Sequence, residues 1–199
     1  VRDTRDETRP RGRPRSETAR TAILAATIAL LIDQGLHAMN MDDVAERAGV
    51  SKATIYRWWA SKEMLALDAL ATAWALPTSG KWADTGSLRG DLLAHLRPWV
   101  KQVKTKPYGR VIAALIAEAQ VDPDFAKLYR ENFILPRRAE ARVLFVRAIE
   151  RGEIAADVDF DVSLDLLYGP LYHRLLHLHA PLTDRFTQDV VDAVVKAIS

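Results

Sequence analysis

Lys52, Ala53, Thr54, Tyr56 and Arg57 follow one another across a single short stretch, with apolar Val50 and Ile55 set among them. At helical spacing the two apolar residues turn inward and the other five face out. Such a face suits a duplex: an arginine fork can bond two acceptors of guanine at once, worth about 1–3 kcal/mol of discrimination. Lysine and hydroxyl groups supply phosphate contacts, which position a protein without reading sequence. Asn40, Ser51 and Lys62 stand at expected helix starts, where amide or hydroxyl groups, backbone N–H and positive charge also favour phosphate.

The flanking residues supply the support such a face needs. Met41 to Ala48 reads as a first helix with Val44, Ala45 and Ala48 on one side, and Gly49 provides the positive φ of a tight turn. A small alanine, a turn glycine and apolar residues at this spacing let two helices cross closely, as a helix-turn-helix unit requires. The competing description, an ordinary αα-hairpin with a polar outer face, explains the seam but not the agreement of capping, seam and basic outer side.

Through these residues the chain resembles the DNA-binding domain of the TetR family of bacterial transcriptional repressors. The match runs from about Arg15 to Leu70: the long helix ARTAILAATIALLIDQG, the link LHAMN, the run MDDVAERAGVSKATIYRWW and the closing SKEMLALDAL. The resemblance implies that Lys52, Ala53, Thr54 and Arg57 touch base edges and that Tyr56 meets the phosphate backbone. Trp58 departs from the family, where histidine or another aromatic is more usual, and is read as packing on sugar–phosphate or bracing the recognition helix. Trp59 is expected in the core.

Composition sets the wider frame. With 199 residues, 49% hydrophobic and 27% charged, the chain can bury a real core. No cysteine is present, which excludes disulfides and thiol catalysis and accords with a cytoplasmic location. The apolar run from Ala22 to Ile32 reads as too short for a membrane span, and the Arg-rich start has no apolar signal core. Seven arginines against four acids crowd the first twenty residues, an electrostatic footprint for phosphate. Within them Arg11-Gly12-Arg13-Pro14-Arg15 resembles an AT-hook core for an A·T-rich minor groove, the alternative being a generic basic tail.

The expected organisation is all-α, with about nine helices. A disordered arm spans 1–15, a helix-turn-helix head 16–76, a linker 77–86 and a ligand-binding and dimerisation body 87–199. Ser16, Asn40, Ser51 and Ser61 are expected helix caps, and Gly35 and Gly152 helix ends. Pro98 is expected to kink or break the helix Leu88 to Lys104, and the apolar helix Tyr108 to Val121 to be fully buried. Asp122-Pro123 opens another helix, and Pro136 lies near the start of the next. The last two, about Asp161 to Ala180 and Thr183 to Ile198, carry apolar stripes that fit either an intramolecular core or, as the family implies, pairing with a second subunit.

No nucleophile motif, phosphate-cradling glycine loop or carboxylate pair stands out, so no catalytic residue and no cofactor is assigned. His173 and His177 lie four apart and could share a metal on one helical face, though interface or pocket histidines are the preferred reading. A metal-dependent helical enzyme is the rival this pair would support, and an architectural, non-specific DNA binder the rival the arm would support. The family resemblance implies a double-stranded DNA operator, a homodimer, no membrane, and an apolar pocket for a small apolar or amphipathic ligand. Trp99, Phe133, Tyr168 and His173 are its candidate lining. Two heads would then meet successive major grooves about 34–36 Å apart, and a ligand would act by shifting their spacing through the fourth helix.

Overall fold

In a computed structural model the described residues are 13–73, 84–105 and 108–198. They are all helical apart from turns, and they fall into two compact units, Val1–Ala69 and Leu70–Ser199. The division lies inside the fourth helix, earlier in the chain than the expected linker. Residues 1–12 and 77–83, and with them Arg11, most of the arm and most of that linker, lie outside the described residues.

In the first unit, α1 spans Arg13–Ala38, beginning three residues before Ser16, so Ser16 is a helical residue and not the cap. Pro14 is compatible with this start because a first-turn residue needs no backbone donor. Gly35 adopts φ 79° and ψ 172°, the only conformational break in the helix, where glycine alone avoids a steric cost. By length and hydropathy Glu17–Ala38 could cross a bilayer. Its Ile23, Leu24, Thr27, Leu30, Leu31 and Leu36 are instead buried, and α1 packs on α2, Met41–Ala48. Thr27 keeps its hydroxyl satisfied by donating to the Ile23 carbonyl at 2.8 Å. The short α3, Lys52–Tyr56, and the first part of α4, Lys62–Ala73, complete the unit's elements.

The second unit opens with α5, Leu88–Thr105. Pro98 lies inside it without ending it, so of the expected kink or break the break is absent. The helix α6, Tyr108–Val121, is buried only along Tyr108, Val111, Ile112 and Leu115, while Val121 is exposed, so it is not the fully buried core helix expected. Its apolar remainder is largely alanine, whose small side chains cover little area. Gly109 permits close approach of α6 to the ninth helix: a Cβ there would lie 2.8 Å from Leu175 Cδ1.

Asp122 caps α7, Pro123–Tyr129, accepting from the amides of Asp124 and Phe125 at 2.9 and 3.0 Å. The chain then widens into a single π turn, Arg130–Ile134, and continues as α8, Leu135–Glu150. Pro136 explains the widening. It has no N–H for the ordinary ladder and its ring crowds the carbonyl four residues back, and an extra residue in the turn relieves both. Because α7, the π turn and α8 run on as one rod, the described residues form nine rods. Gly152 at φ 73° ends α8. Asp159 caps α9, Phe160–His177, and α10, Asp184–Ile198, closes the chain. Helix α5 packs against α8 and α10, and α9 against α6, α8 and α10. Phe125, Phe133, Phe145, Leu92, Leu96 and Ile112 form the fully buried centre, each contributing roughly 1.5–3 kcal/mol on the scale of apolar burial.

Candidate nucleic-acid interface

The candidate face rests on two capped turns. Asn40 Oδ1 accepts from the Asp43 amide at 2.9 Å and Asn40 Nδ2 donates to Asp43 Oδ2 at the same distance, a reciprocal cap on α2. Gly49 leaves that helix in the left-handed region, φ 67° and ψ 35°, with its N–H returned to the last turn. Val50 N–H reaches the Ala45 carbonyl at 3.0 Å, so the turn is closed twice. Ser51 then caps α3, its Oγ accepting from the Thr54 amide at 3.2 Å and pairing with the Thr54 hydroxyl at 2.9 Å.

Below the face, Ile55 is fully buried and Trp59 is nearly so. The Trp59 indole donates to Asp68 Oδ2 at 2.9 Å, and Arg20 Nη2 donates to the same oxygen at 2.6 Å. One carboxylate thus ties the end of the recognition segment to α1 and α4. Nothing in the spacing of Arg20, Trp59 and Asp68 announces this, because the three meet only through packing.

Above the face, Lys52, Ala53, Tyr56 and Arg57 are exposed and Thr54 is half-buried. The outward set read from the helical spacing is therefore displayed together. Lys52 Nζ pairs with Asp42 Oδ2 at 2.9 Å, and this hydrogen bond raises its pKa, with both groups open to solvent. The Arg57 guanidinium stands over Trp58, 5.2 Å from the ring centre, and Trp58 meets Trp59 edge-on at 5.5 Å. Trp58 is thus both a half-buried brace on Trp59 and a platform for Arg57. Asn40 and Ser51 are exposed beside this face, and their side chains already serve as caps.

Lys62 sits differently. Its ammonium donates to the carbonyls of Leu36, His37 and Met39 at 3.1, 3.2 and 3.3 Å. An ammonium has three donors, and the break in α1 after Gly35 uses all three. The backbone of Arg13 and Arg15 lies in the first turn of α1.

A second site lies wholly in the second unit. A cavity of about 320 Å³ is lined by Ile116, Tyr129, Ile134, Arg137, Arg138, Asp165, Tyr168, Gly169 and Tyr172. Of the four expected pocket residues only Tyr168 lines it. Trp99 lies behind, packed on Tyr172 at 5.5 Å. Phe133 is fully buried beneath Arg137, whose guanidinium is 3.7 Å from the ring centre. His173 is exposed, with its ring 4.5 Å from that of His177 and 4.9 Å from that of His179. Among the described residues no group of three or more His, Asp or Glu is arranged to hold a metal ion. His95, expected nowhere, is buried against the cavity wall, its Nε2 2.6 Å from the Tyr168 hydroxyl, and burial lowers its pKa to about 4. It is neutral at pH 7.

Residues 23–69 match the family model for bacterial regulatory proteins of the tetR family, and residues 82–194 match the tetracyclin repressor-like C-terminal domain. The chain is 40% identical over 190 residues to the HTH-type transcriptional regulator YdeS of Bacillus subtilis, covering 94% of this chain and 93% of that one. It is 34% identical over 181 residues to the DNA-binding transcriptional repressor TetR of Mycobacteroides abscessus, covering 91% and 94%. The crystal structure of the TetR family transcription regulator SCO0332 superposes with a TM-score of 0.76 at 38% identity, covering 91% of this chain and 98% of that one. Both units are matched in order, and the capped turn lies in the first. The chain therefore belongs to the TetR family of bacterial transcriptional regulators, DNA-binding proteins and not enzymes.

Proposed function

We propose that this regulator acts in the cytoplasm as a homodimeric repressor, binding a near-palindromic operator and leaving it when a small apolar or amphipathic molecule enters the second unit. The observation that carries the reading is the outward face of α3, with Lys52, Ala53, Thr54 and Arg57 displayed on a turn locked from below by Ile55 and Trp59. In this reading Arg57 bonds guanine and Lys52, Ala53 and Thr54 complete the contact with base edges. Tyr56, Trp58, Asn40 and Ser51 rest on the sugar–phosphate backbone, and Arg11 follows the adjoining minor groove, whereas Arg13 and Arg15, being helical, do not continue the extended AT-hook core expected over 11–15. Lys62 takes the supporting role its three carbonyl bonds describe.

Support for pairing comes from α9 and α10. Val162, Leu166 and Leu176 are exposed, and Leu166, Pro170, Phe186, Val190, Ala193 and Ala197 line an apolar groove. A second copy would cover that face about a two-fold axis. Repression, as distinct from activation, is supported by the name of the Mycobacteroides abscessus relative.

Selection of bound fragments from the organism's genomic DNA tests the reading. Recovery of a near-palindromic sequence that survives competition with scrambled DNA at moderate salt supports it. Binding with no sequence preference would leave only an architectural role.

A further inference from the structure

The cavity of the second unit has a polar end that the family assignment does not explain. Along the rod formed by α7, the π turn and α8, Phe125, Tyr129 and Phe133 stack in succession, with ring centres 6.3 and 5.2 Å apart. Arg137 continues the stack above Phe133 and donates from Nη1 to the Phe133 carbonyl at 2.8 Å. The π turn before Pro136 sets this register, and it delivers a half-buried guanidinium to the cavity wall.

Two features make that end receptive to an oxyanion. The Tyr129 hydroxyl also belongs to the wall, is buried, and has no hydrogen-bond partner among the described residues. A buried hydroxyl in that state is unfavourable until a ligand oxygen meets it. Burial also works against the charge of Arg137, lowering its pKa, so an incoming anion would offset the desolvation of the guanidinium. Arg138, the next residue, is paired with Asp161 and Asp165. Asp165, which also lines the cavity, together with Glu140 acting on Arg137 through its charge, disfavours a doubly charged head.

We propose that the cavity binds an organic monocarboxylate, its head between Arg137 and the Tyr129 hydroxyl and its apolar body against Ile116, Ile134, Tyr168 and Tyr172. This rests on the ligand-controlled reading above and names the chemical class of the ligand. A body of two fused rings or an equivalent aliphatic chain suits about 320 Å³.

Calorimetric titration of the full chain with 2-naphthoate, methyl 2-naphthoate and 2-naphthylmethylammonium tests it. The carboxylate should bind at least tenfold more tightly than the ester or the ammonium. In Arg137→Met that advantage should vanish while the ester still binds, and in Arg137→Lys part of it should remain. Tyr129→Phe should weaken the carboxylate severalfold. A Cβ at Gly169 meets no atom within 4 Å, so Gly169→Leu should fill the space and exclude all three probes. An ester or ammonium that binds as well as the acid, an advantage that survives in Arg137→Met, or no binding by any probe would each overturn the assignment. Operator affinity separates the two readings. Carboxylate binding that leaves DNA affinity unchanged keeps the anion site and removes the release mechanism, whereas release by the ammonium alone does the reverse.

Discussion

The ammonium of Lys62 donates to the Leu36 carbonyl at 3.1 Å, reaching from the first turn of α4 to the distorted end of α1. The same group also serves His37 and Met39. A residue that sequence places among phosphate ligands is thus committed to holding the head together, because α1 ends at Ala38 and the carbonyls at and just past its last turn have no intrahelical donors.

Lys62→Met should lower the stability of the protein by about 1.5–3 kcal/mol, the range for hydrogen bonds to a charged group. Thermal melting measures that loss. The dependence of DNA affinity on salt should stay unchanged, whereas a phosphate ligand would reduce its slope by about one unit on removal. A reduced slope with an unchanged melting temperature would return Lys62 to the DNA.

Arg57 and Tyr56 should separate reading from positioning. Arg57→Ala should cost about 1–3 kcal/mol against the preferred operator and relax preference at one base pair. Tyr56→Phe should weaken all sequences alike and by less, since a phosphate contact positions the protein without reading sequence. Binding selections on the two variants check this, and uniform loss in Arg57→Ala would contradict the assignment.

Asp68 should matter more than either of its donors. Asp68→Ala strands the buried Trp59 indole and the Arg20 guanidinium together, at about 1–3 kcal/mol of stability. Trp59→Phe, which removes one donor and leaves Arg20 paired, should cost less if packing is preserved. Denaturant unfolding of both variants gives the comparison.

Acid stability should depend on Asp91. Burial acts to raise its carboxyl, but the Thr85 amide and hydroxyl, each at 2.7 Å, and Arg151 at 3.1 Å outweigh this and leave its pKa below the ordinary value. A depressed folded-state pKa stabilises above the unfolded value, about 3.9 for aspartate, and that stability is lost as pH falls through the lower folded value. Asp91→Asn should therefore destabilise the protein at pH 7 by about 1–3 kcal/mol and flatten the fall in stability below about pH 4. Melting temperatures followed from pH 7 to 3 measure both effects.

Sequence alone determined what is local. The caps at Asn40, Ser51 and Ser61, the turn at Gly49, the outward set from Lys52 to Arg57 and the all-helical body follow from period, capping chemistry and backbone freedom within a few residues. Tertiary structure decided what depends on residues meeting from far apart. It gave Lys62 to carbonyls more than twenty positions away, joined Arg20 and Trp59 on Asp68, and moved the cavity from Trp99, Phe133 and His173 to a wall shared by Tyr129, Arg137, Tyr168 and Tyr172. Helical periodicity tells which residues share a face. Which face is covered, and by what, depends on the packing of whole rods, and one wide turn before Pro136 was enough to aim Arg137 at a cavity that the spacing did not reveal.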